Sequence, residues 1–302
     1  MTERQDVRAP LSVLVPVKNE ATNLRECLAS IAFADEIVVV DSTSTDGTQE
    51  VAASAGAGLI QFEWNGKLPR KKNWALENVP WRHEWLLVID ADERITPQLE
   101  REICDAIQGT VVDGFYLNRR FWFLGGCINH CGYFPSWNLR LFRHRLGRYE
   151  EIEVGISAPS GDNEVHEHVL LNGQAAYLRS PMEHYAFPNI GTFIEKHNRY
   201  STWEAAARQH LCQEVDQKAL HATPFGTAPQ RRRWLKKFAM RAPCRPMLRF
   251  LYHYLWHQGF RDGYRGWQFC RLLSWYEGLI VLKEREMLAR KSEDKQSGQK
   301  SQ

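Results

Sequence analysis

The chain has 302 residues, 43% of them hydrophobic and 25% charged, with a formal net charge of +3. Those proportions exclude wholesale disorder and predict one large packed domain, or a domain with an extension. No run approaches the ~18 apolar residues of a spanning helix. The polar start, residues 1–10, and the short run after it lack the features of a secretory leader, so a cytoplasmic protein is expected.

The first half alternates strand-like and helix-like segments. Residues 11–17 (LSVLVPV) form an apolar run that predicts a buried strand. Residues 21–31 place Leu24, Leu28 and Ile31 at helical spacing, and residues 36–41 (EIVVVD) predict a second strand. Ser44-Thr45-Asp46-Gly47 then supplies a turn able to cap a helix running to about residue 55. Lys71-Lys72-Asn73 is a cationic turn opening a helix, residues 85–90 (WLLVID) are a third buried strand, and residues 97–107 predict a helix. Continuous apolar strands separated by amphipathic helices predict an α/β fold whose mostly parallel sheet is covered on both faces. Ligands bind at the carboxyl ends of such strands, where Asn19, Asp41, Asp90 and Asp92 collect.

From Asp113 the segments become shorter and richer in aromatics, as strands and loops would be. Residues 189–217 predict a helix with Phe193, Ile194, His197 and Tyr200 on one side, and residues 231–291 a basic, aromatic helical region. The polar tail from Ser292 predicts disorder. Seven cysteines form no disulfide framework: Cys27, Cys104, Cys212, Cys244 and Cys270 are scattered, and Cys127 and Cys131 flank His130. Reduced thiols are expected, because a metal at that pair needs two further ligands.

Asp90-Ala91-Asp92-Glu93 directly follows the strand WLLVI. Two carboxylates so spaced at a strand end can converge on a hard divalent cation that keeps positions open for phosphate oxygens. Acids capping the next helix are the alternative. Three further features accompany it. The strand ending in Pro16-Val17-Lys18-Asn19-Glu20 offers polar groups to a base or ribose, Asp41 can accept hydrogen bonds from the same groups, and Lys71-Lys72-Asn73 suits a diphosphate.

In that order VPVKNE, VVVDSTSTDGT, RKKNWAL and VIDADE resemble the nucleotide-binding half of a glycosyltransferase family 2 enzyme of the GT-A fold, across residues 11–120. The resemblance implies a Rossmann-like, mostly parallel sheet flanked by helices, with a C-terminal helical extension. It implies that Pro16, Asn19, Glu20 and Asp41 line a uridine pocket and that Lys72 approaches the donor. Asp90-Ala91-Asp92 would meet the diphosphate, the two aspartates through Mn2+ or Mg2+. Gly132-Tyr133-Phe134-Pro135-Ser136-Trp137, Arg140-Leu141-Phe142-Arg143 and Glu164-Val165-His166-Glu167-His168 are similar to the bacterial lipopolysaccharide-core glucosyltransferase subgroup. The two resemblances together imply an inverting transfer of a hexose from a UDP-sugar to a hydroxyl of a glycan or lipid-linked acceptor, in lipopolysaccharide or cell-surface polysaccharide synthesis. Glu167 is then the expected base, with Glu164 as the alternative and His166 near the metal or the phosphates; a polar strand edge is the structural reading of the same segment. A sugar nucleotidyltransferase is the rival enzyme, disfavoured because residues 18–23 lack its glycine-rich loop. A non-catalytic nucleotide-binding scaffold is the rival outside enzymology.

Gln230-Arg231-Arg232-Arg233-Trp234 fits a pattern of processive sugar synthases, but without their transmembrane helices it reads as the start of an interfacial helix. Arg231, Arg232, Arg233, Lys236, Lys237, Arg241, Arg245 and Arg249 alternate with aromatic and aliphatic residues. Such a segment suits an anionic membrane surface, so attachment to the inner face of the cell membrane is expected. Packing on the catalytic domain is the alternative, favoured for residues 272–282, and no nucleic-acid module is matched. The expected layout is a lead at 1–10, a catalytic domain at 11–225 (nucleotide-binding half 11–120, acceptor half 121–225), a helical extension at 226–291 and a tail at 292–302.

Overall fold

The computed structural model describes residues 8–151, 168–217 and 244–299, with side chains for 8–151, 168–209 and 244–290. Glu164, His166 and Glu167 lie outside the described residues, as do Arg231, Arg232, Arg233, Lys236, Lys237 and Arg241. Two compact units form. The first comprises described residues 8–129, 133–151 and 168–188, and the second 130–132, 189–217 and 244–299. The helix at 190–217, expected with the catalytic domain, belongs to the second unit.

The predicted elements of the first half appear in the predicted order. They are β1 (Ala9–Val17), α1 (Ala21–Ser30), β2 (Ala34–Asp41), α2 (Thr48–Ser54), α3 (Lys71–Asn78) and β4 (Trp85–Val88), with one strand that was not predicted, β3 (Gly58–Gln61), between α2 and α3. There follow β5 (Glu93–Arg94), α4 (Pro97–Ala106), β6 (Gly114–Phe123), β7 (Gly126–Ile128), β8 (Trp137–Arg143), β9 (Gly147–Tyr149), β10 (Val169–Leu171) and β11 (Ala175–His184). Helix α4 starts where it does because the Thr96 hydroxyl accepts the Leu99 N–H at 3.2 Å and Pro97 fills a position that needs no donor.

Among the described residues, one sheet runs β3-β2-β1-β4-β8-β6-β11-β5, with β7 on β6, and β9 and β10 pair separately. Strands β3, β2, β1 and β4 are mutually parallel, β8 is antiparallel to both β4 and β6, and β11 is parallel to β6. Alternation sorts the side chains onto two faces. Leu11, Val13, Val15, Leu87 and Ile89 pack with Leu24 and Leu28 of α1 and Leu99 and Ile103 of α4. Leu14, Val38, Val40, Leu86 and Val88 pack with Ala75 and Leu76 of α3 and with Phe142 and Tyr149. Each such fully buried aliphatic contributes about 1.5–3 kcal/mol, which is why these strands read as unbroken apolar runs.

The order 3-2-1-4 reverses direction between β1 and β4, making the switch point where crevices open in parallel sheets. The β1–β4 ladder pairs Ser12, Val13 and Leu14 with Leu86, Leu87 and Val88, then ends with Ile89 N–H donating to Leu14 O at 3.1 Å. Regular alternation would make residue 16 the next donor. That residue is Pro16, which has no N–H, so the ladder stops there. The loops after β1 and β4 leave the sheet at this opening.

The second unit contains α5 (Ile190–Gln217), α6 (Arg245–Leu251), a π turn (Tyr252–Trp256), a 3-10 turn (Gly259–Asp262) and α7 (Gly263–Gln299). The backbone of α7 stays helical beyond Ser292, where composition predicts a disordered tail, because its Glu, Lys and Gln residues are good helix formers on an existing helix. Arg245 and Arg249, expected among membrane-facing cations, turn inward instead. Arg245 reaches Glu277 at 2.6 Å and Glu284 at 2.7 Å, Arg249 reaches Glu277 at 2.7 Å, and Arg208 of α5 joins Glu277 at 2.9 Å and Glu204 at 2.6 Å. Ile194, predicted on the same helix side as Phe193, is exposed, whereas Phe193 is fully buried.

His197 donates from Nδ1 to Phe193 O at 2.8 Å and stacks on the Phe193 ring. Burial pushes its pKa down from 6.5 to about 4, with the positive Arg249 and Lys196 lowering it further and the hydrogen bond to Phe193 opposing. Between those two pH values the unfolded chain holds a proton that the folded imidazole refuses, so stability falls as the pH drops through the window and is unaffected above it. The slope approaches about 1.4 kcal/mol per pH unit. His197→Gln is expected to flatten this acid limb in urea titrations followed by tryptophan fluorescence; an unchanged slope would assign the acid sensitivity elsewhere.

Candidate active site

The loops after β1 and β2 are tied to each other by the side chains that the sequence singled out. Asn19 takes a left-handed backbone (φ 56°), which asparagine tolerates better than most residues. Its N–H donates to Ser44 Oγ at 2.8 Å, and its Oδ1 accepts the Thr45 N–H at 2.9 Å. Glu20 N–H donates to Thr48 Oγ1 at 2.9 Å, and Asp46 accepts the Ala21 N–H at 3.1 Å, capping α1 from the neighbouring loop. Burial works against the Asp46 charge, but the hydrogen bonds from Thr48 and Ala21 outweigh it and hold the carboxyl below its usual value. Asp41 is fully buried and accepts the Ser44 N–H at 3.0 Å, the Ser44 hydroxyl, and Gln49 Nε2 at 3.1 Å. These bonds make Asn19, Glu20 and Asp41 a rigid rim on one side of the opening, with Pro16 buried beneath it.

The other side is ionic. Helix α3 begins beside β1 because fully buried Lys71 donates to Val17 O at 2.8 Å. Asn73 holds the backbone of Tyr149 in both directions, donating to its carbonyl at 2.9 Å and accepting its N–H at 2.8 Å. Between them Lys72 projects to Asp90 Oδ1 at 3.2 Å and lies over the Tyr149 ring. The second Asp90 oxygen receives Arg140 of β8 at 2.6 Å, and the Asp90 N–H donates to Glu93 Oε2 at 2.9 Å. Glu93 is fully buried and also meets Arg140 at 3.1 Å and Arg119 of β6 at 3.4 Å. Burial opposes charge on Asp90, yet Arg140 and Lys72 hold its carboxyl well below the usual carboxylate range, and burial is likewise outweighed at Arg140 by Asp90 and Glu93. Lys72, Arg140 and Arg119 thus surround the carboxylates of Asp90 and Glu93 at one strand end.

Asp92 meets an imidazole. The two-residue strand β5 pairs with β11, setting His184 opposite Glu93, and His184 Nε2 comes within 3.5 Å of Asp92 Oδ1. The Asp92 carbonyl accepts the Tyr185 N–H at 2.8 Å, which fixes the same junction through the backbone. A carboxylate and an imidazole this close are both donors that a divalent cation accepts, so these two residues could hold one together. Among the described residues no group of three or more His, Cys, Asp or Glu side chains is disposed to hold a metal by itself. Asp90, with both oxygens bound to cations, and Asp92, beside an imidazole, therefore occupy different electrostatic environments.

Sequence reasoning reached Asp90, Asp92 and Lys72 but not Arg119 or His184. The latter closes the polar run Glu183-His184-Tyr185 at the carboxyl end of a strand, the position rule that drew attention to Asn19 and Asp41. Cys131, considered with Cys127, has its thiol 3.6 Å from that of Cys270 and 3.7 Å from Asp262; these cysteines are free thiols.

The sequence pattern of the Glycosyl transferase family 2 matches residues 12–161. The lipopolysaccharide core biosynthesis glycosyltransferase LpsC of Rhizobium meliloti (strain 1021) is 31% identical over 210 residues, covering 66% of this chain and 71% of that protein. An uncharacterized glycosyltransferase of Rickettsia felis is 28% identical over 204 residues, covering 65% and 69%. Among solved structures, the mannosyltransferase PcManGT from Pyrobaculum calidifontis aligns with a TM-score of 0.45 and 17% identity, covering 92% of this chain and 87% of that one. Glucosyl-3-phosphoglycerate synthase from Mycobacterium tuberculosis aligns with a TM-score of 0.42 and 15% identity, covering 66% and 78%. The four ordered motifs, the sheet that carries them at its strand ends and this kinship agree: the chain belongs to glycosyl transferase family 2.

Proposed function

We propose that the chain is an inverting glycosyltransferase that moves a hexose from a UDP-sugar to a hydroxyl of a glycan or lipid-linked acceptor, in lipopolysaccharide or cell-surface polysaccharide synthesis at the inner face of the membrane. The observation that carries this reading is the division of labour within the acidic motif. Asp90 is neutralised by Lys72 and Arg140, and Asp92 stands next to the imidazole of His184. The rim of Asn19, Glu20 and Asp41 supports a uridine pocket by its acceptors and its rigidity. The core-biosynthesis relative supports the acceptor class.

Asp92 and His184 would hold Mn2+ or Mg2+, which when bound supplies Lewis-acid stabilisation of the charge on a departing diphosphate. Lys72, Arg140 and Arg119 add a preorganised positive potential at the same strand end, where negative charge develops. Asp90 keeps Lys72 and Arg140 in fixed positions, so that no reorganisation is needed as the bond to the sugar breaks. Glu167, with Glu164 as the alternative, takes the proton from the acceptor hydroxyl while the C–O bond to the diphosphate breaks on the opposite side of the anomeric carbon. The reading of a sugar nucleotidyltransferase loses its ground with membership of the family, and turnover of a nucleotide sugar separates the enzyme from a scaffold.

Isothermal titration with UDP is expected to give binding that strengthens with Mn2+, and Asp92→Ala and His184→Ala should each remove most of the metal-dependent part. Binding indifferent to the metal and to both substitutions would sink the proposal, and a screen of nucleotide sugars for transfer identifies the donor. Arg140→Met, by contrast, strands Asp90 and Glu93 and should cost about 3 kcal/mol of stability, against less than about 1 kcal/mol for Asp92→Ala in urea unfolding. Similar losses for the two would erase the distinction between them. Glu167→Gln should keep UDP affinity and lower turnover by roughly two to four orders of magnitude; full turnover in this variant transfers the base role to Glu164.

A further inference from the structure

Helix α7 is apolar on two opposite sides, and only one of them is packed. Phe269, Cys270, Leu273, Tyr276 and Ile280 are buried and follow one another at helical spacing. Tyr264, Trp267, Trp275 and Leu282 follow the same spacing half a turn away, and they are 71%, 41%, 38% and 61% exposed. The turns that precede the helix extend this apolar surface with Trp256, 78% exposed, together with Leu255 and Phe260. Ring contacts join four of its aromatics. Trp267 meets Phe250 and Tyr254 at 5.2 Å each, and Tyr254 meets Phe260 at 6.2 Å. A cavity of about 400 Å³ lined by Pro246, Phe250, Trp275, Leu279 and Leu282, with Arg271 and Ser274, lies between α6 and α7.

Charge is sorted between the same two sides. From Cys244 to Lys283 the sequence has only two acids, Asp262 and Glu277. Asp262 pairs with His130 at 2.8 Å with its side chain 4% exposed, and Glu277, 7% exposed, is held by Arg208, Arg245 and Arg249. Arg261, Arg265 and Arg271 are exposed. Arg261 donates to Gln258 and Arg271 to Gln268, so these two keep their full charge. The outer side thus presents tryptophan, tyrosine and leucine with Arg261 and Arg271, and both acids of this stretch are turned inward; Glu286, an exposed acid one turn beyond Leu282, is paired with Arg290 at 2.6 Å. Interfacial aromatics penetrate the headgroup layer and cations stay at its anionic surface, while none of the described helices is long and apolar enough to cross a membrane.

We infer that the face built by α6, the two turns and the outer stripe of α7 is the surface by which this chain lies on an anionic lipid bilayer, Trp256, Tyr264 and Trp267 entering the headgroup layer and Arg261 and Arg271 meeting lipid phosphates. The inference deepens the reading of a membrane-side acceptor, but its assay contains neither sugar nor metal, so it fails or stands separately from the transferase reaction. The full chain is mixed with vesicles of phosphatidylcholine alone or with phosphatidylglycerol added at about one lipid in three, the range in which an anionic surface potential develops, and binding is read by flotation and by the tryptophan emission shift. Binding should require the anionic lipid and weaken with salt. R261Q/R271Q should lower it by about tenfold, and Leu255→Ser with Trp256→Ser should weaken flotation and shrink the emission shift, each variant keeping the wild-type UDP affinity and circular dichroism. Equal binding to neutral vesicles, or binding untouched by either set of substitutions, overturns the assignment. So does a dimer in sedimentation velocity that these substitutions dissociate, which would make a second copy the occupant.

Discussion

The carboxylate of Asp90, held between Lys72 and Arg140, is the interaction on which the site depends. It joins the start of α3, the end of β4 and the middle of β8 at one point, so three segments distant in sequence share one electrostatic anchor. Burial alone would drive a proton onto this acid; two cations in direct contact reverse that and keep it charged. Such a cluster is costly to desolvate and is tolerated only when its members are mutually satisfied, as Glu93 and Arg119 help them to be. Its value lies in placement: it fixes two cations at one strand end.

Much of this arrangement was legible in the amino-acid order. Unbroken apolar runs gave away the parallel strands because such strands are buried on both faces, and the strand-end rule then located Asn19, Asp41, Asp90 and Asp92 together. The pattern could not reveal who neutralises whom. Arg140 is 50 positions from Asp90, and His184 reaches Asp92 only because a two-residue strand pairs with β11; neither contact leaves a local periodicity. For the same reason Arg245 and Arg249 looked like surface cations, although their partners wait one helix away on α7. A basic run announces charge but not the direction in which it points.

The second unit divides its polar and apolar residues by helix face. Glu204, Glu277 and Glu284 gather inside with Arg208, Arg245 and Arg249, where Tyr276 also donates to Glu204 at 2.6 Å, and the outer stripe of α7 carries Trp267, Arg271, Trp275 and Leu282. Within residues 272–282, Leu273, Tyr276 and Ile280 are buried inside this unit, whereas Trp275 and Leu282 on the other side are exposed. Packing and exposure thus belong to different faces of one helix. Resolving the segment at 3.6 residues per turn, instead of reading it as a block, separates them.

Pro16 leaves the sheet with a seam. Because the gap between β1 and β4 comes from a missing backbone donor, no side-chain exchange on the surrounding loops can zip it shut. The parting of the two strand ends is thereby a property of the backbone: an ordinary residue at position 16 would bring an N–H to this edge and let the ladder run one step further.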